Sequence, residues 1–329
     1  MRARRALLLA ALGLGLVLVL AGCGSSESSV GPGRSASVLL DFTPNAVHTG
    51  IYSALARDYG SGEGVRLRVR VPSASTDSVK LLLSGRVDFA VLDIHDLALA
   101  RERGRDLVGV MALVQRPLAA VLARPEIRSP RALAGRRAGV TGLPSDDAVL
   151  RSVVAGAGGD PARVRRATIG FGAVPALLSR RVAAATAFWD VEGVELQRRR
   201  PGFHTFRVDD FGAPPYPELV LCATGQTVRE SPELIGAVVR SLVRGYEETL
   251  ADPESSVADL QGRNPGLNRA LLLAELDAVS PTFRAPDGRI GELDPARLRA
   301  WAAWEARFGI VRQPPDVART FDERFAPPG

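Results

Sequence analysis

Short apolar runs alternate with amphipathic stretches along most of this chain. Val38–Phe42 predicts a strand and Gly50–Asp58 a helix, while Val65–Val71 alternates apolar and polar positions as a half-buried strand does. Thr76–Ser84 predicts a helix with Val79, Leu81 and Leu82 inward, Val87–Leu92 a buried strand, and Asp96–Arg103 another helix. A second set of such units begins after Arg116-Pro117. Its strands are expected at Leu118–Ala123, Arg137–Thr141, Val164–Ile169, Ala183–Phe188, Thr205–Val208 and Glu218–Ala223. Helices are expected at Asp146–Ala155, Val174–Arg180 and Val191–Arg200, and Ser129-Pro130 has the residue types of a capped helix start. From Ser231 onward the pattern is nearly all helical, with Glu233–Leu250 the longest stretch. No fixed short repeat is visible. Strands alternating with helices argue for an α/β fold of mostly parallel sheets with crossover helices.

The size of the folded part favours two lobes over one core. The expected division puts residues 37–113 plus 210–329 in one lobe and 114–209 in the other, with crossing segments near Leu113–Pro117 and Thr205–Phe211. A ligand would then lie in the cleft outside the carboxyl ends of the strands.

The first residues change the picture of where this fold works. Arg2, Arg4 and Arg5 precede an uncharged apolar run from Ala6 to Ala21, the layout of a secretory signal, and the run is short for a membrane span. It ends in Leu20-Ala21-Gly22-Cys23, which resembles a bacterial lipobox. The expectation is a signal peptide over residues 1–22, a lipid on Cys23, a flexible linker over residues 23–36, and a domain held on the extracytoplasmic face of the cell membrane.

Charge and cysteine content exclude several classes. Lys+Arg falls from 42 to 39 once the three leading arginines are removed, against 36 Asp+Glu, so the formal charge drops from +6 to +3. That small, scattered balance does not suit nucleic acid. Cys222 has no partner once Cys23 is lipidated, so the domain is expected to hold without disulfides. His48, His95 and His204 are far apart and form no His-x-x-x-His or Cys-x-x-Cys spacing, so no metal or cofactor is expected. Neither a Gly-x-Ser-x-Gly elbow nor a Gly-x-x-x-x-Gly-Lys loop is present.

One segment is more specific. Leu40-Asp41-Phe42-Thr43-Pro44-Asn45-Ala46-Val47-His48-Thr49-Gly50-Ile51-Tyr52 resembles the opening motif of the thiamine-pyrimidine precursor binding family. Further echoes are Ser84–Ala90, Gly142–Asp146, Phe188–Gly193 and Tyr216–Val220, of which Phe188–Gly193 is fairly specific. The resemblance implies a two-lobed, periplasmic-binding-protein-like fold of type II and a monomer that delivers an aminopyrimidine to the permease and ATPase of an ABC importer. The fungal relatives of this family synthesise the pyrimidine, and they carry a cysteine-rich iron motif that this chain lacks. An alkanesulfonate, taurine or nitrate-like anion is the alternative ligand class, and that reading would prefer an arginine or a helix-end nest in the cleft. A pyrimidine-synthesising enzyme is the more remote one.

An aminopyrimidine needs aromatic faces and acceptors along its edge. Asp41 at a strand end can accept from the exocyclic amine and Phe42 can stack, where the family usually has Trp. Asn45 and His48 stand at a helix entry, as a turn former and a supporting donor. From the second lobe the resemblance implies an aromatic and a Glu, here Phe188 or Trp189 with Glu192. Ser145 at a strand-to-helix junction, Asp93 after a buried strand, and Tyr216 in a Pro-rich loop complete the candidates.

Overall fold

A computed structural model describes residues 34–72 and 78–326. Cys23, the signal and most of the linker lie outside the described residues. Among the described residues, ten strands form two five-stranded sheets. The first contains β1 (Arg34–Leu39), β2 (Val65–Arg70), β3 (Phe89–Asp93), β4 (Leu107–Ala112) and β10 (Leu219–Thr224), in the order β2-β1-β3-β10-β4. The second contains β5 (Ala119–Ala123), β6 (Arg137–Val140), β7 (Arg165–Thr168), β8 (Ala184–Phe188) and β9 (His204–Arg207), in the order β7-β6-β8-β5-β9.

The two orders are equivalent. In each sheet one strand runs against the rest: β10 is antiparallel to β3 and β4, and β5 is antiparallel to β8 and β9. Those are the strands that follow a crossing from the other sheet, so each enters its new sheet from the opposite end. The remaining neighbours, joined through helical crossovers, are parallel.

The structure departs from the sequence pattern in four places. The first strand runs Arg34–Leu39 rather than Val38–Phe42: Ala36 and Val38 already face inward in alternation with Ser35 and Ser37, and pairing with β2 ends at the bond from the Leu40 N–H to the Arg70 carbonyl. Leu107–Ala112 is a strand with every residue buried, which the sequence pattern did not single out. The second crossing begins later than Thr205, since His204–Arg207 is still β9. Ser129 also gives no side-chain cap to the short turn at Pro130–Leu133. Arg116 on the first crossing pairs with Asp209 on the second at 2.6 Å.

The helix Pro232–Ala251 packs an apolar stripe of Leu234, Ile235, Val238, Val239, Leu242 and Tyr246 inward. It lies against the helix Thr49–Ala56 at an unusually short separation. A Cβ on Gly245 would come 2.0 Å from the Gly50 carbonyl oxygen, and one on Gly50 would strike the Tyr246 ring at 2.4 Å. Only glycine permits this contact, and the Tyr246 hydroxyl then donates to the Val47 carbonyl at 2.8 Å. The start of the Thr49–Ala56 helix, with the turn before it, is thereby fixed beside the first sheet.

Candidate ligand-binding site

The turn Ala46–His48 is closed at both ends. The Asn45 side chain accepts from the Val47 N–H at 3.0 Å, while the Asn45 N–H donates to His48 Nδ1 at 3.2 Å. A backbone N–H can only donate, so Nδ1 is the bare nitrogen and Nε2 carries the proton. That Nε2–H donates to Asp41 Oδ1 at 2.8 Å, with His48 wholly buried. His48 and Asn45 therefore aim Asp41 and do not themselves line a cavity.

Asp41 lies at the edge of a cavity of about 120 Å³ between the two sheets. An apolar void of about 150 Å³ accepts benzene, so the space suits one small ring. Of the expected site residues, Asp41, Phe42, Asp93, Ser145, Phe188 and Glu192 meet there. Phe171 is added, its ring 5.4 Å from that of Phe42 at an interplanar angle of 47°. Phe42 follows β1 of the first sheet, whereas Phe171 stands between β7 and the helix Ala173–Leu178, in a loop opened by Gly170 at φ 57°. Phe171 is 53% exposed, one of the few large apolar side chains open to solvent. Two aromatic faces from opposite sheets thus meet at the mouth.

The cavity's polarity is one-sided. Asp41, Asp93, Asp96, Asp146 and Glu192 all line it, and no Arg, Lys or His side chain is among its described lining. Burial pushes the carboxyls of Asp96, Asp146 and Glu192 above their usual range and that of Asp93 well above it. Some of that cost is met locally. Asp146 accepts from the Thr141 N–H at 2.9 Å and from its hydroxyl, and Glu192 accepts from the Phe188 N–H at 3.2 Å. Asp93 caps the helix Ile94–Glu102 by accepting the His95 N–H at 2.7 Å. N–H donors or a positive charge brought by a ligand would relieve the remaining desolvation, and an anion would deepen it.

Besides Asn45 and His48, two further candidates do not reach the cavity. Trp189 is buried in a π-helical turn over Trp189–Gly193, and its indole N–H donates to the Pro117 carbonyl at 2.9 Å. The Arg207 guanidinium lies 3.8 Å above its ring. The wide turn swings Trp189 toward the crossing segments and leaves Phe188 and Glu192 facing the ligand space. Tyr216 is fully buried and its hydroxyl lies 3.3 Å from His95 Nε2, so it packs behind the site and cannot close over it. Cys222 is buried on β10, and burial pushes its thiol far up, away from reactivity.

Paired mixed sheets with a small cavity between them are the architecture of the periplasmic-binding-protein fold. The periplasmic aliphatic sulphonate binding protein SsuA from Escherichia coli superposes with a TM-score of 0.73 at 15% identity, over 90% of this chain and 94% of that one. Residues 45–256 match the family model described as NMT1/THI5 like, and the chain belongs to that family. A formylaminopyrimidine-binding protein from Halalkalibacterium halodurans is 29% identical over 284 residues, covering 84% of this chain and 86% of that protein. A 4-amino-5-hydroxymethyl-2-methylpyrimidine phosphate synthase from Uromyces fabae is 24% identical over 249 residues, 71% of this chain and 72% of the synthase. These likenesses support a solute-binding role.

Proposed function

We propose that this chain is an extracytoplasmic solute-binding lipoprotein of an ABC importer, lipid-anchored through Cys23, and that it carries a thiamine-related aminopyrimidine without altering it. The observation that carries the ligand class is the cavity itself: one ring's worth of space, two aromatic faces, five carboxylates and no basic side chain among the described lining residues. An aminopyrimidine matches it with a flat face for Phe42 and Phe171 and amine hydrogens for carboxylate oxygens. The formylaminomethyl and hydroxymethyl forms both fit this chemistry. Sulfonate or nitrate would meet carboxylates where it needs donors. Synthesis of the pyrimidine at the expense of His48 is disfavoured, because both of its ring nitrogens are engaged and the ring is buried.

Calorimetry of the full chain with 4-amino-5-hydroxymethyl-2-methylpyrimidine, its formylaminomethyl counterpart, taurine and an aliphatic sulfonate tests the reading. Heat with the pyrimidines alone, and recovery of both protein and ligand at unchanged mass, supports it. Tight sulfonate binding without pyrimidine heat overturns the ligand. Loss of mass from the protein with pyrimidine release overturns the receptor.

A further inference from the structure

Behind the cavity floor lies a second cluster that shares only Asp93 with the ligand cavity. Asp93 ends β3, His95 is in the first turn of the helix Ile94–Glu102, Glu218 immediately precedes β10, and Glu305 is on the helix Pro295–Arg307. His95, Glu218 and Glu305 are fully or almost fully buried. His95 Nδ1 bonds a Glu305 carboxylate oxygen, Oε1. A carboxylate can only accept there, so Nδ1 bears the proton and Nε2 is left to use its lone pair. This is the arrangement by which a carboxylate behind an imidazole orients it toward a metal ion.

The surroundings of Nε2 offer oxygen donors to a cation. Glu218 Oε1 lies 3.4 Å from Nε2, yet it is buried without any hydrogen-bond partner. The other Glu218 oxygen, Oε2, accepts from the Leu118 N–H at 2.7 Å and the Ala119 N–H at 2.9 Å, which holds the carboxylate in place. Tyr216 Oη is 3.3 Å from the same nitrogen. With metal bonds of about 2.0–2.1 Å, ligand atoms of a tetrahedral zinc ion stand about 3.3 Å apart. Asp93 supplies a third donor, and the three ligand atoms lie within 4.8 Å of one another. Asp93 also lines the ligand cavity, so the cluster has a way in.

Charge points the same way. Three carboxyls face one imidazole, and among the described residues no arginine or lysine pairs with any of them. An unpaired carboxylate at this depth is expensive, and a divalent cation supplies the missing charge.

We propose that Asp93, His95 and Glu218, with Glu305 orienting His95, form a buried binding site for one small divalent cation of the zinc type beneath the cavity floor. The ion would tie β3 and β10 to the start of β5 through Glu218, and so set the geometry from which Asp93 reaches the ligand.

The test uses the full chain in detergent, stripped with a chelator, exposed to zinc and passed through gel filtration before metal analysis. One zinc per chain is expected, with a rise in melting temperature. Asp93→Asn keeps an acceptor for the helix cap and removes a charge, and it should lower zinc affinity at least tenfold. Glu305→Gln, which leaves all three ligands intact, should weaken binding about 10- to 100-fold. His95→Gln should abolish it, while His204→Ala, at a half-buried histidine remote from the cluster, should change nothing. Absence of retained zinc in the parent, or equal retention in Asp93→Asn and Glu305→Gln, overturns the proposal. Zinc lost with His204→Ala also overturns it, since the ion then sits on the surface. Uptake is read without pyrimidine present, so its failure is distinct from failure of the ligand assignment.

Discussion

Asp41→Asn separates the aim of a side chain from its charge. In the parent, His48 is forced to donate through Nε2, because its Nδ1 already accepts the Asn45 N–H. An asparagine at position 41 must therefore turn its carbonyl oxygen toward His48 and its NH2 toward the cavity. The bond to His48 survives, the side chain keeps its shape, and stability changes little. The ligand, however, meets a donor where it had met an acceptor. Among the described residues nothing bonds Asp41 Oδ2, so that oxygen is the one available to an exocyclic amine. A hydrogen bond to a charged group contributes about 1.5–3 kcal/mol, which is roughly 10- to 100-fold in affinity. Calorimetry with 4-amino-5-hydroxymethyl-2-methylpyrimidine gives the affinity and thermal melting gives the stability. Undiminished binding would refute the role of Asp41, and a large fall in melting temperature would show that the tautomer of His48 had been misassigned.

Other consequences concern the aromatic mouth, the acidic interior and the anchor. Phe171→Ala removes a half-exposed ring and should leave melting unchanged while weakening pyrimidine binding by about 0.5–1.5 kcal/mol, or 2- to 10-fold; equal affinity would remove Phe171 from the site. Glu275, on the helix Arg269–Val279, has its carboxyl pushed up to about 7 by burial, from the ordinary 4.5. Between those values the folded state binds more protons than the unfolded one, so stability should fall as pH rises from 4.5 to 7, by about 3 kcal/mol. Glu275→Gln should then melt higher than the parent at about pH 8 and alongside it at about pH 4, and a pH-independent difference would contradict this. Cys23→Ser should release the protein from the membrane fraction, and parent-like retention with an unchanged N-terminus would end the lipoprotein reading.

Much of the fold was legible because half-buried strands alternate. Val65–Arg70 buries Val65 and Leu67 and exposes the arginines between them, so pattern and element agree. Leu107–Ala112 escaped because a strand buried on both faces does not alternate, and its apolar run continues to Val114 without a break at the strand end. In the site, Asp41, Phe42, Phe188 and Glu192 could be read from local motifs because their roles depend on neighbours in sequence. Trp189 misled because the motif offers two adjacent aromatics, and only the π turn over Trp189–Gly193 decides which of them faces the cavity. Phe171 stands in an aperiodic Gly-Phe-Gly loop and acquires a role only when it meets Phe42 from the other sheet, although an exposed aromatic between glycines was a signal that could have been weighed. The His95–Glu305 contact joins residues 210 apart, which no spacing motif can express.

The ligand class rests on a cavity that offers acceptors and no positive charge. The most direct test is a paired titration of the full chain with 4-amino-5-hydroxymethyl-2-methylpyrimidine and with the same molecule carrying a phosphate on its hydroxymethyl group. The ring contacts are identical, and only the anion differs. Five lining carboxylates predict saturable binding of the free pyrimidine and no measurable binding of its phosphate. Equal or tighter binding of the phosphate would contradict the account, because the anion would then be held by groups that this cavity does not contain.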